Sequence, residues 1–230
     1  MRISVIIPAY NEEKNITDLV QMLLRQSGNG VDQVMVVDGH SNDGSLQVAR
    51  KAGAQVLISP QKGRAAQMNY GALKATGDML YFVHADVRIH PDFAQDIKYA
   101  VSRGYDLGCY RFVFDSKKLL LKINSWFTRL PFLWCRGGDQ TLFVKKEVFN
   151  ALSGFRADYQ IMEDYDFIER AQKDYRFAII PKNVVVSARK YQTNSYLRVQ
   201  HANYTIMRMW KQGASQEDMV AKYKQMINYR

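Results

Sequence analysis

Apolar and polar positions along this chain follow two periods, and the switches between them mark out the elements. Ile3-Ser4-Val5-Ile6-Ile7 is a β-branched run stopped by Pro8, and Val34 to Val37, Val56 to Ile58 and Met79 to Val83 are further strand-like runs. Behind the first, Ile16, Leu19, Val20, Leu23 and Leu24 recur at helical spacing. Asn11 is the expected cap of that helix, with Glu12 and Glu13 at its positive end. Ser45 to Ala52 (ended by Gly53), Arg64 to Ala75 (ended by Gly77) and Asp92 to Ser102 (before Gly104) are the next predicted helices. Strand and helix in alternation predict a mostly parallel α/β sheet with right-handed crossovers. Continuous apolar strands fit a sheet covered on two faces.

The second half is less regular. Leu107 to Phe114, Thr141 to Val144 and Phe177 to Ile180 are predicted strands, the last stopped by Pro181. Asp164 to Lys173 is a predicted helix, and Ser195 to Gln212 and Gln216 to Ile227 are two terminal helices parted by Gly213. Mixed pairing is expected here. Lys117 to Cys135 sets Trp126-Phe127, Phe132 and Trp134 among basic residues, and three readings stand side by side: ordinary core, a lid over an acceptor, or an amphipathic membrane surface. Core or lid is favoured. Tyr196, Tyr204, Met207 and Trp210 are expected to pack the terminal helices on the domain or on a second subunit, which leaves a homodimer open.

Totals narrow the classes. The 230 residues, 47% hydrophobic and 23% charged, suit one soluble domain with a substantial core. No apolar run reaches the ~20 residues of a spanning helix. The chain opens on a strand-like run with no leader pattern, and Cys109 and Cys135 lack zinc-like spacing, so a cytoplasmic protein is expected. The net charge of +10 comes without a basic block, zinc finger or RNP pattern. Nucleic acid is therefore not an expected partner; a phosphate-bearing substrate at a membrane face suits the charge better.

Ligands of open α/β sheets bind outside the carboxyl ends of the strands. Three such ends carry chemistry here: Pro8-Ala9-Tyr10-Asn11-Glu12, Asp38-Gly39-His40-Ser41-Asn42-Asp43-Gly44, and His84-Ala85-Asp86. A carboxylate beside a buried strand needs a partner, so Asp86 is expected to hold a divalent cation and, through it, a pyrophosphate. Asp43 is read as a helix cap rather than a ligand. No G-x-G-x-x-G, Walker A or G-x-S-x-G pattern is present.

These segments, with Glu163-Asp164, occur in an order and spacing that resembles glycosyltransferase family 2, of the GT-A fold, over about Ile3 to Arg170. Within it the chain is similar to the small bacterial subgroup associated with arsenosugar biosynthesis clusters. The resemblance implies a single domain over 1–230, with a nucleotide-binding half (1–104), an acceptor-side half (105–194) and C-terminal helices (195–230). It implies inverting, metal-assisted transfer from a UDP- or GDP-sugar to a hydroxyl acceptor, with Mg²⁺ or Mn²⁺. Pro8, Tyr10, Glu12, Asp38, Arg64, Asn69 and Ala85 would bind the nucleotide. Asp86 would bind the metal, with His84, which replaces the first Asp of the usual D-x-D, as a weak ligand. Gly138, Asp139, Gln140 and Glu163 would contact sugar or acceptor, and Asp164 would be the base. Arg189 is assigned to the phosphates from its charge alone. Two alternatives remain at this level: a nucleotide-sugar binding or scaffold protein on the same fold, and a nucleotidyltransferase, which would want a Gly-rich basic loop after the first strand.

Overall fold

The computed structural model describes residues 1–228 apart from Ser27, so the last two residues of the expected C-terminal segment lie outside it. The alternation read from the first half is present: β1 (Ile3–Ala9), α1 (Glu13–Leu24), β2 (Val31–Asp38), α2 (Ser45–Lys51), β3 (Gln55–Ile58), α3 (Arg64–Lys74) and β4 (Met79–Phe82). β5 (Val87–Arg88), α4 (Phe93–Ser102), β6 (Leu107–Phe114), α5 (Leu119–Phe127), β7 (Leu142–Lys145), α6 (Lys146–Ala151), α7 (Glu163–Ala171) and β8 (Phe177–Val186) follow, then α8 (Lys190–Thr193), α9 (Tyr196–Lys211) and α10 (Gln216–Met226).

One eight-stranded sheet runs in the order β3-β2-β1-β4-β7-β6-β8-β5. β3, β2, β1 and β4 are mutually parallel; β7 is antiparallel to β4 and to β6, and β8 is parallel to β6. The parallel set aligns its carboxyl ends, with Ala9 paired to Asp38, so the acidic strand ends share one edge. Alternate β1 residues face opposite layers, as a period of two requires. Ile3, Val5 and Ile7 pack with α1 and α4, whereas Ile6 packs with α3, α6 and α7. At Gly71 a Cβ would lie 2.5 Å from Ile6 Cγ2, so α3 reaches the sheet only because that position is glycine.

Four expectations need correction. Pro8 does not stop β1, which runs on to Ala9 with Pro8 paired to Val37; the ladder with β4 has already ended at Ile6 and Phe82, so no donor is needed on that side. Pro181 does not stop its strand: Tyr110 pairs with Ile180 and Arg111 with Asn183, leaving Pro181 and Lys182 as a bulge that needs no ladder donor. Asn11 does not cap α1. It has φ of 55°, and its Oδ1 accepts from Asn42 N at 2.8 Å, tying the β1 turn to the β2 turn. α9 is held by Val199, Ala202 and Ile206 rather than by Tyr204, which is exposed.

Candidate active site

The β2 end is built around Asp38. Its buried carboxylate accepts from His40 N at 2.8 Å, Ser41 N at 3.0 Å and Ser41 Oγ at 2.5 Å, turning the chain back toward β1. Gln67, which the sequence reading passed over, staples the two strand ends from α3: its buried Nε2 donates to Ala9 O at 2.8 Å and Val37 O at 2.7 Å. Pro8 is buried at the end of β1, and Tyr10, 54% exposed, stands at its mouth.

From this edge a connected set of charges runs across the β4 end. Arg189, on the far side of the chain in sequence, bridges two strand ends: its Nη2 lies 3.0 Å from Glu12 Oε1 and 3.2 Å from Asp86 Oδ2. Burial pushes the Asp86 carboxyl above its ordinary value, and Arg189 offsets only part of that. Ala85 is buried beneath the turn, and His84 Nδ1 lies 3.6 Å from Asp139 Oδ1. Desolvation pushes Asp139 up, but His84, Lys190 and Arg64 outweigh it and hold the carboxyl below the usual range.

Arg64 opens α3, and its Nε donates to Oε1 of the wholly buried Glu163. Glu163 Oε2 has no hydrogen-bond partner, so one guanidinium carries the compensation of this buried carboxylate. Asp164 follows at the positive end of α7, with Tyr165 N donating to its Oδ1 at 2.9 Å. Burial raises the Asp164 carboxyl, repulsion from Glu163 adds to it, and Arg64 opposes. Backbone strain gathers here too. Asn11 beside Glu12, His40 within the Asp38 turn and Met162 beside Glu163 have positive φ.

Two residues named from the resemblance fall outside the set. Asn69 is committed to the backbone: Nδ2 donates to Phe155 O at 2.8 Å, and Oδ1 accepts from Phe155 N at 3.0 Å. Gln140 lies in the short 3-10 turn Gly138–Gln140 and is completely buried, its Oε1 3.8 Å from Cys109 Sγ and its Nε2 without a hydrogen-bond partner. The turn thus presents Asp139 outward, its side chain 57% exposed.

A cation of the Mg²⁺ or Mn²⁺ type fits this donor set in one way. Among the described residues, no group of three or more His, Cys, Asp or Glu converges on a metal position. Asp86 beside His84 instead suits an ion shared with ligand phosphates, as is usual for hard divalent cations held by one or two carboxylates.

An α/β sheet with a parallel half, an antiparallel β7 and acidic strand ends defines the GT-A class. The chain superimposes on glucosyl-3-phosphoglycerate synthase from Mycobacterium tuberculosis, solved with Mn²⁺, UDP-glucose and phosphoglyceric acid. The TM-score is 0.69 at 17% identity, covering 93% of this chain and 80% of that one. A mannosyltransferase from Pyrobaculum calidifontis, solved with GDP-Man and Mn²⁺, gives a TM-score of 0.69 at 20% identity, covering 91% and 63%. Residues 4–162 match Glycosyl transferase family 2, and the chain belongs to that family. It is 29% identical over 200 residues to the amylovoran biosynthesis glycosyltransferase AmsB of Erwinia amylovora, covering 77% of this chain and 66% of that one. The chain spans between 30% and 66% of the length of the curated relatives it matches.

Proposed function

We propose that this glycosyltransferase moves a sugar from a UDP- or GDP-sugar to an acceptor hydroxyl in one inverting displacement. The observation that carries the reading is the continuous charge set from Glu12 through Arg189, Asp86, His84, Asp139 and Arg64 to Asp164, drawn from both halves of the chain onto one sheet edge. Tyr10 and the Asp38 turn bind the nucleoside, and Arg189 and Arg64 contact the diphosphate. Asp86, with His84 beside it, holds Mg²⁺ or Mn²⁺, which when bound offsets the charge of the departing diphosphate. Asp139 and Glu163 border the sugar. Asp164 keeps Oδ1 on the Tyr165 N–H and takes the proton of the acceptor hydroxyl at Oδ2, while the acceptor oxygen attacks the anomeric carbon and the bond from that carbon to the diphosphate breaks.

A raised carboxyl suits this task, because a base whose pKa approaches working pH transfers protons efficiently. The motif resemblance supports the subgroup linked to arsenosugar biosynthesis, whose acceptor hydroxyls belong in any substrate screen. The test is titration with UDP and GDP with and without Mn²⁺, followed by a transfer assay across nucleotide sugars. We expect metal-dependent binding of one nucleoside diphosphate. Binding of neither sinks the reading.

A further inference from the structure

Helix α5 is built inside out. Leu119, Leu120, Ile123, Trp126 and Phe127 recur at the spacing of one helical stripe, which in a soluble domain faces the core. Here that stripe faces outward: Leu119 is 70% exposed and Trp126 53%. The buried side carries Leu121, Ser125 and, just past the helix, Thr128; Ser125 Oγ donates to Leu121 O at 2.9 Å and Thr128 Oγ1 to Ser125 O at 2.7 Å. The stripe continues into the next turn, where Phe132 and Trp134, the latter 56% exposed, stack with centroids 5.8 Å apart. Trp126 and Phe127 join them through Phe127–Trp134 at 5.8 Å. Contiguous exposed aromatics of this extent mark an interaction site.

The charge around the patch decides among occupants. Residues 116–138 contain five Lys or Arg and no Asp or Glu. Lys117, Lys118, Lys122 and Arg129 are exposed and interleave with the rings. Arg111 lies close enough to Arg129 for the two guanidiniums to repel, and its buried Nε has no hydrogen-bond partner. A second copy would meet this face with the same positive charge, on a chain that already carries +10. Interface cores between proteins are also depleted in lysine. Apolar rings flanked by Lys and Arg on a helix lying along a surface match the boundary of an anionic bilayer.

We propose that the α5 face, from Lys117 to Trp134, docks the protein on an anionic lipid surface, with Trp126, Phe127, Phe132 and Trp134 entering the headgroup boundary and Lys117, Lys122 and Arg129 contacting lipid phosphates. Among the described residues no helix is long and apolar enough to cross a membrane. An apolar hollow of about 320 Å³ between Leu119, Leu120, Leu121, Tyr191 and Tyr196 opens beside the patch. The docked segment leads directly through Cys135 and Arg136 to the turn that presents Asp139, which places the rim of the site beside the bilayer.

Co-sedimentation with phosphatidylcholine vesicles, with and without an equal part of phosphatidylglycerol, tests this. We expect binding to the anionic vesicles alone, with a blue shift of tryptophan emission and weakening by salt. The pair K122Q and R129Q, which removes two positive charges, is expected to weaken binding by roughly 25-fold, about fivefold per charge lost, and W126S with F132S by about tenfold or more. Because these side chains are exposed, both double variants should melt with the wild type. Failure of the wild type to sediment overturns the proposal, as does binding that neither double variant changes. A wild-type dimer that W126S dissociates, without vesicle binding, overturns it in favour of self-association.

Discussion

Substitution of Arg64 by alanine tests how the site holds two acidic neighbours on one helix turn. Glu163 is wholly buried, one of its oxygens has no partner, and the other rests on Arg64. Removing one member of a fully buried pair costs roughly 3–5 kcal/mol. The Arg64 side chain is 39% exposed, so water shares the compensation and about 2 kcal/mol is the expected loss. For a chain of this size that is a fall of about 4–8 °C in melting temperature, readable by calorimetry. Arg64 is also the cation that opposes the upward shift of Asp164, while Glu163 reinforces that shift. The base must be ionised to work, so the rate falls as pH drops through its pKa. R64A should move this acid limb to higher pH, and E163Q should move it lower. Because Arg64 is also assigned to the diphosphate, the comparison is made at saturating donor. Limbs that move together, or an R64A protein as stable as wild type, refute the electrostatic account.

Three further variants follow from the same geometry. D164N should bind donor normally yet lose roughly 10²–10⁴-fold in turnover. The raised Asp164 carboxyl means the fold binds that proton more tightly than the unfolded chain does. Stability is thus full below the unfolded value and declines as pH rises through the folded one, and urea titration of D164N should lack that decline. Q67L removes two buried hydrogen bonds at the β1 and β2 ends, which should cost about 2–4 kcal/mol in a denaturation curve. D86A should abolish the gain in UDP or GDP affinity that Mn²⁺ gives, at least ~10-fold by calorimetric titration, and chelation of wild-type protein should reproduce the loss.

The parallel half was legible because its strands centre on apolar runs ended by turn residues, although β2 begins earlier than its run, through Asp32 and Gln33. β8 was cut short in the reading because Pro181 forbids a ladder bond, and only the pairing with β6 shows that a bulge absorbs it. The strand-end carboxylates were legible from position, whereas their partners were not. The Arg64–Glu163 and Arg189–Glu12 pairs join residues 99 and 177 positions apart, beyond any periodic signal. Gln67 reads as an ordinary polar helix residue until β1 and β2 come beside it. Helix α5 misled for a different reason: spacing gives the existence of an apolar stripe and not the direction it faces, and its stripe faces solvent. Asn69 shows the converse, a motif amide whose bonds go to Phe155.

The ion pairs that join Arg189 to the β1 and β4 ends have a consequence for biosynthesis. Chains emerge from the ribosome at about 5–20 residues per second and fold from the amino end. Glu12 and Asp86 are translated well before the guanidinium that joins them. A nascent sheet therefore exposes its acidic rim without its clasp for several seconds, and a chain ending just before residue 189 contains the sequence of all four parallel strands but not the guanidinium that joins Glu12 to Asp86.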